Sequence, residues 1–284
     1  MQTLDRMTLT RPLRVLSIQS EVVQGHVGNA AARFALQRLG LDVLALPTVL
    51  FSNHPGHGGF RGGATPAGEL NALLEGLEAR GFLDRVDAVI SGYLGDAEQA
   101  ETVRAAVLSV KRRNPHARYL LDPVFGDEGG AYARPGVAEA MAKLLLPLAD
   151  IVTPNRFELA SLTSRRIEDA AAAVSAGRTL GRKLVLATSV PASGGRIGTA
   201  AIAADKVWLT TATRVAHAPS GTGDLLAALF LGWLLKDEPL PEALARATGA
   251  VAELIVASGP AKDLALIAGQ DALLSARLEV AAFA

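Results

Sequence analysis

A chain of 284 residues can bury a large core, and α/β folds of this size often form a single unit. Half of the residues are hydrophobic and only 5% aromatic, with 28 basic against 28 acidic side chains, so no net field favours nucleic acid or an anionic membrane. With no cysteine, disulfides, thiolate catalysis and Cys-bound zinc are excluded together, which leaves a small molecule as the expected partner.

Residues 1–13 are expected to be a flexible extension, because they are polar and lack the continuous apolar run of a signal peptide. Residues 14–284 then read as one domain. Short apolar runs alternate with longer amphipathic stretches, the pattern of strand–helix units around a mostly parallel sheet. Arg14–Ile18 is the first strand. Asn29 is expected to cap a helix through Leu39, with Gly40 at the left-handed position beyond it. Asp42–Leu46 resumes as strand, and the Gly-rich Pro55–Gly63 reads as a mobile surface loop. Val86–Ser91 and Arg118–Leu121 are further strands, separated by a helix over residues 97–112. Asp150–Thr153 and Lys183–Ala187 continue the series around a helix over residues 167–180. Ala200–Ala204 and Lys206–Leu209 resemble a hairpin; Thr222–Leu235 and Pro241–Val256 are two consecutive helices covering one face. No apolar run approaches the roughly 18 residues that span a bilayer. A soluble, cytoplasmic protein is the expectation.

The sharpest local feature is Ser220-Gly221-Thr222-Gly223-Asp224, directly before an apolar helix. Gly221 and Gly223 let the backbone turn closely around a ligand, and the N–H groups at Gly221, Thr222 and Gly223 are aimed at it by the helix start. Such an anion site suits a phosphoryl group in transfer. Asp224, in the first turn, is the candidate base for an attacking hydroxyl. Taken alone, the same residues also suit an ordinary helix N-terminus.

Asp122-Pro123-Val124-Phe125-Gly126-Asp127 follows an apolar strand, so Asp122 should emerge at its carboxyl end, the ligand side of parallel sheets. Asp122 and Asp127 suit Mg-ATP, because Mg²⁺ prefers a few carboxylates plus phosphates and water. A turn with solvated acids is the plainer alternative. In Thr153-Pro154-Asn155-Arg156-Phe157-Glu158, the spacing of Asn155 and Glu158 is that of a helix cap and its reciprocal acid. Functionally, Asn155 would touch phosphate and Glu158 would join Asp122 as a metal ligand through water. Each cluster follows a predicted strand, so the fold would gather them at one edge of the sheet.

Ser20, in the first strand-to-helix crossing, can bond a ring heteroatom. Residues 48–59 mix apolar and hydrogen-bonding groups and suit a cover over a small aromatic substrate, and Tyr93 in Ser91–Gly95 can contact its ring. His26 alone reads as a loop or packing residue, and His54 and His57 lack an acidic or cysteine partner nearby in sequence, which argues against a metal there.

From about residue 14 to residue 257 the chain resembles the pyridoxal kinase family of the ribokinase-like superfamily. The resemblance rests on S-I-Q-S-x-V-V-x-G-x-V-G-N at 17–29, T-V-x-F-S-N-H at 48–54, S-G-Y-L-G at 91–95, D-P-V-x-G-D at 122–127, T-P-N-x-x-E at 153–158 and G-T-G-D at 221–224. It implies a ribokinase-like α/β fold, with helices on both faces of the sheet and a small flap over the substrate site. It implies phosphorylation of the 5'-hydroxyl of pyridoxal by ATP, with Mg²⁺, K⁺ as a further candidate ion, and a homodimer. Ser20, Val27, Thr48 and Tyr93 would line the pyridoxal pocket, with Asp224 near the hydroxyl. Asp122, Asp127, Tyr132, Thr153, Asn155 and Glu158 would form the ATP and metal side, and Thr188-Ser189 matches the family's nucleotide loop. Two departures stand out: Pro55-Gly56 follows Asn-His in the flap, and the stretch between Thr188 and Gly221 is shortened, with residues 210–219 facing the nucleotide. The alternatives are a hydroxymethylpyrimidine kinase of the same superfamily and a non-catalytic B6- or nucleotide-binding protein. The first loop does not spell the G-x-G-x-x-G of a dinucleotide-binding dehydrogenase.

Overall fold

The computed structural model describes residues 11–283. Most of the expected extension, residues 1–10, therefore lies outside the described residues. Arg11, near its end, pairs with Asp87 at 3.1 Å.

Strands β1 (Arg14–Gln24) and β2 (Asp42–Asn53) flank helix α1 (Asn29–Arg38). Strand β3 (Gly62–Ala64) and helix α2 (Ala67–Ala79) follow, then β4 (Ala88–Ser91), α3 (Gln99–Arg113) and β5 (Arg118–Leu121). A short hairpin, β6 (Gly126–Asp127) and β7 (Gly130–Ala131), leads to α4 (Val137–Ala140) and β8 (Ile151–Val152). Helices α5 (Arg156–Thr163) and α6 (Ala170–Thr179) precede the antiparallel strands β9 (Leu184–Ala192), β10 (Arg196–Ala203) and β11 (Val207–Thr213). Helices α7 (Thr222–Leu235), α8 (Leu240–Ser258) and α9 (Ala272–Ser275) and strand β12 (Val280–Ala282) complete the described residues.

One sheet joins ten of these strands in the order β12-β11-β10-β9-β8-β5-β4-β1-β2-β3. Its centre, β2-β1-β4-β5-β8-β9, is parallel. Successive side chains on a strand point to opposite faces, and two cores result. Val15, Ile90 and Leu120 join α1, α7 and α8 on one face, while Leu16, Val89 and Leu121 join α2 and α3 on the other. Helix α7 is apolar around nearly its whole circumference because it lies between the sheet, α1 and α8. Each of its fully buried Leu or Phe side chains stabilises the fold by about 1.5–3 kcal/mol.

Three local expectations are corrected. The first two strands run well past Ile18 and Leu46, because their parallel pairing resumes after a bulge between Gln19 and Glu21. Asn29 is the first residue inside α1 and does not cap it; Gly28 holds that position. Its buried side chain accepts from Ser17 Oγ and donates to the carbonyls of Gln19 and Leu46, which have no water to turn to. The segment expected as a loop at Pro55–Gly63 contains a 3-10 turn, Pro55–His57, and the start of β3, which pairs with the extended end of β2.

Candidate active site

The parallel ladder continues past the strand ends, and that continuation sets the site. The N–H groups of Gly92, Asp122, Thr153 and Thr188 donate to Ile18, Ser91, Leu121 and Pro154 respectively. Gly92, Asp122 and Thr153 are thereby fixed just beyond their strands by a neighbour's backbone at the carboxyl edge of the sheet, whereas Thr188 and Ser189, expected in a loop past Ala187, lie inside β9 because its pairing runs on to Ala192. The structure sets Gly92, Asp122, Thr153 and Thr188 side by side along this edge. Asn155 and Thr188 even form a bridge of their own. Ser189 has φ 57°, a left-handed backbone that a serine adopts only where its surroundings fix it.

Asp122 is 5% exposed. Its Oδ1 accepts from Thr153 Oγ1 at 2.7 Å, and its Oδ2 is buried without a partner. Burial, followed by the negative charge of Asp224, pushes its pKa up to about 7, against the opposing bond from Thr153. Glu158 is buried beside it, and burial together with the charge of Asp122 raises its pKa well above the carboxylate range. Asn155 and Glu158 do form the capping box: Asn155 Oδ1 accepts from the Glu158 N–H, and Glu158 Oε2 accepts from the Asn155 N–H, both at 2.9 Å. Capping and site placement coincide here, since the other oxygen, Oε1, accepts from the Phe125 N–H at 3.1 Å. The cap carries the carboxylate to the Asp122 loop.

Asp127 turns away from this pair. It is exposed, and its Oδ1 closes a turn by accepting from the Gly129 N–H at 2.7 Å. Tyr132 is half exposed, and its phenol is held protonated by burial and then by the charges of Glu158, Asp224, Asp122 and Asp127. A hydroxyl thus stands within the field of all four acids.

Gly221 caps α7 with φ 91°, and a Cβ there would lie 1.9 Å from the His26 carbonyl oxygen. Only glycine lets the loop pass so close to the β1–α1 connection. The first N–H groups of α7, from Thr222, Gly223 and Asp224, have no partner earlier in the helix and receive no side-chain cap from Gly221. Asp224 keeps an opening to solvent, yet its pKa is raised by desolvation, with the Gly28 N–H opposing. Asp224 and Asp122 are near enough for the charge of one to shift the other. The start of α7 therefore lies beside the acid edge.

Residues 78–265 match the family model described as phosphomethylpyrimidine kinase. The pyridoxal kinase of Rubrobacter xylanophilus is 42% identical over 274 residues, 93% of this chain and 94% of its own. That of Deinococcus radiodurans is 42% identical over 267 residues, 89% of each. Pyridoxal kinase from Leishmania donovani, solved in complex with ADP and pyridoxamine, superposes with a TM-score of 0.90 at 30% identity, over 95% of this chain and 99% of that one. The chain belongs to the pyridoxal kinase family.

In this pyridoxal kinase fold the other expected substrate residues lie along β1, the β1–α1 connection, β2 and the β4–α3 connection. Ser20 is nearly buried at the β1 bulge, and Gly28 folds over it with φ 53°; a Cβ at Gly28 would lie 2.2 Å from the Ser20 carbonyl oxygen. Val27 is buried in the same connection, and Tyr93 is half-buried. Thr48 has no exposed surface, and its Oγ1 donates to the Tyr93 carbonyl at 2.7 Å, so it orients Tyr93. Sequence reasoning passed over Gln99. Fully buried at the start of α3, its Nε2 donates to the carbonyls of Thr48 and Thr65, both at 2.7 Å, and its Oε1 accepts from the Gly95 N–H at 2.9 Å. A polar residue among the apolar positions of that helix was the available signal. Residues 210–219 include Arg214, whose guanidinium bonds Glu128 at 2.6 Å on the β6–β7 hairpin and so brings that connection to the acid edge.

Proposed function

We propose that this protein transfers the γ-phosphate of ATP to the 5'-hydroxyl of pyridoxal, accepts pyridoxine and pyridoxamine as well, and serves vitamin B6 salvage. The observation that carries the reading is the meeting of Asp224, at the open start of α7, with the buried carboxylate of Asp122. Asp224 takes the proton of the substrate hydroxyl as its oxygen bonds to the γ-phosphorus and the bond to the β-phosphate oxygen breaks, releasing ADP. A carboxylate with a raised pKa is a stronger base for that step. The N–H groups of Thr222 and Gly223, beside the turn at Gly221, hold the transferring oxygens, where fixed donors need no reorganisation.

Ser20, Val27, Thr48 and Tyr93 frame the vitamer in this reading, and Thr153, Asn155, Tyr132, Asp127, Thr188 and Ser189 face the nucleotide. The lone buried Oδ2 of Asp122 is the kind of atom that a divalent cation satisfies. Asp122 would hold Mg²⁺ directly and Glu158, fastened by two backbone amides, would hold its water. Bound there, the cation offsets the negative charge of the phosphates. The same reading includes K⁺ as a further candidate ion, residues 14–284 as one catalytic unit, a homodimer and a cytoplasmic location. No helix among the described residues is long and apolar enough to cross a membrane.

A panel of pyridoxal, pyridoxine, pyridoxamine and hydroxymethylpyrimidine with ATP and Mg²⁺ tests the proposal, with products identified by mass. Pyridoxal 5'-phosphate is the expected product. A higher kcat/KM for the pyrimidine, or binding of pyridoxal and ATP without a phosphorylated product, overturns it.

A further inference from the structure

The tip of the flap is fastened to a distant stretch of chain. His54 Nδ1 lies 3.2 Å from the Gly56 N–H and 3.1 Å from Ser220 Oγ. A backbone N–H can only donate, so Nδ1 is the acceptor of a neutral ring and the Ser220 hydroxyl must donate to it. Ser220 immediately precedes the turn at Gly221, and its own N–H donates to the Lys262 carbonyl at 3.0 Å. The side chain of Lys262 returns to the flap, donating to the Gly56 carbonyl at 3.0 Å. Beside it, Asp263 Oδ1 sits 3.3 Å from His57 Nε2 and is otherwise buried without a partner. The same Oδ1 lies 3.0 Å from where a Cβ on Gly25 would stand, in the β1–α1 connection.

The 262–263 connection therefore meets the flap, the β1–α1 connection and the residue before the anion loop. We propose that Ser220 and Asp263 are positioning residues that latch the flap to the phosphate-binding turn, so that cover over the vitamer and alignment of the N–H donors arise together. The latch accounts for the burial pattern of the flap tip: Pro55 and Gly56 are exposed, while its inward side chains, His54 and His57, are the half-buried ones. Neither latch residue need touch a reacting atom. The functional half of this inference rests on the pyridoxal kinase reading; the structural half does not.

Ser220→Ala removes the hydroxyl and leaves the backbone bond to Lys262. Amide hydrogen exchange of the free protein is expected to quicken across residues 54–63 and at the turn of residues 221–223, and to stay unchanged in α7 from Leu225 onward. In steady state, KM for pyridoxal should rise about two- to tenfold, the size of one net hydrogen bond, while KM for Mg-ATP changes less than about twofold. Ser220→Thr, which keeps the hydroxyl, should restore both measures, and Asp263→Asn should reproduce the exchange change. Ser220→Ala combined with His54→Ala should cost no more than His54→Ala alone. Unchanged flap exchange in Ser220→Ala, or additive effects in the double variant, overturns the latch. A wild-type protein that makes no pyridoxal 5'-phosphate yet shows the exchange change sinks the kinase reading and leaves the latch standing.

Discussion

At the acid edge of the cleft, Asp122, Thr153 and Thr188 are carried by backbone bonds that prolong the parallel ladder; at the flap, Asn53–Gly63 is a short hairpin held at its tip by His54, His57 and Lys262. The first region is buried and built on the core strands, whereas the second is largely exposed. The difference matters because local opening costs little where few buried contacts must break. Charges that stabilise a phosphate must not move during transfer, and a cover over a substrate must move for it to enter.

The largest expected effect tests the rigid side. Asp224→Asn should lower kcat by about 10²- to 10⁴-fold, the usual worth of a positioned base, with nucleotide binding retained in calorimetry. Near-normal turnover would remove the proton transfer from Asp224.

The buried acid pair makes the second test. The pKa of Asp122 is raised from 3.8 to about 7 in the folded protein, so the folded state holds a proton that the unfolded chain has released. A raised carboxylate therefore costs stability as pH climbs from about 4 to about 7, and the full penalty applies above that. A tenfold difference in proton affinity between the folded and unfolded chain corresponds to about 1.4 kcal/mol, so the penalty is on the order of a few kcal/mol. Asp122→Asn should accordingly melt higher than wild type at pH 8 and equally at pH 4 without ligands, while losing most Mg-ATP-dependent activity. A lower melting temperature at pH 8 would show that the carboxylate is not held at the expense of the fold.

The smallest effect belongs to the flap. Phe60 packs against Phe51 with ring centroids 4.5 Å apart and stays 45% exposed. Phe60→Ala should destabilise by about 0.5–1.5 kcal/mol at most, raise KM for pyridoxal a few-fold and leave KM for Mg-ATP alone. An equal change in both KM values would mean that the two regions are not mechanically distinct.

The helix expected at Thr222–Leu235 and the strand at Arg118–Leu121 coincide with the structure residue for residue, because apolar runs bounded by Gly, Asp or Pro encode them locally. The motifs at 122, 153 and 221 were legible for the same reason: each ends or starts an element, and the rule that parallel strands present ligands at their carboxyl ends brings them together. Helix α2, with Gly68 and Gly76 within it, carried a weaker signal; Leu70 and Leu74 are its buried anchors.

By itself the amino-acid sequence determined the alternation of strands and helices, the acids at strand ends and the glycine turn before α7, since these follow from periodicity and backbone freedom within a few residues. Only the tertiary structure decided that Asp122 Oδ2 would be left without a partner, that Gln99 would join three segments and that His54 would meet Ser220, 166 residues away. Desolvation and long-range hydrogen bonds depend on what the rest of the chain packs around a group, and no local pattern of residues specifies that.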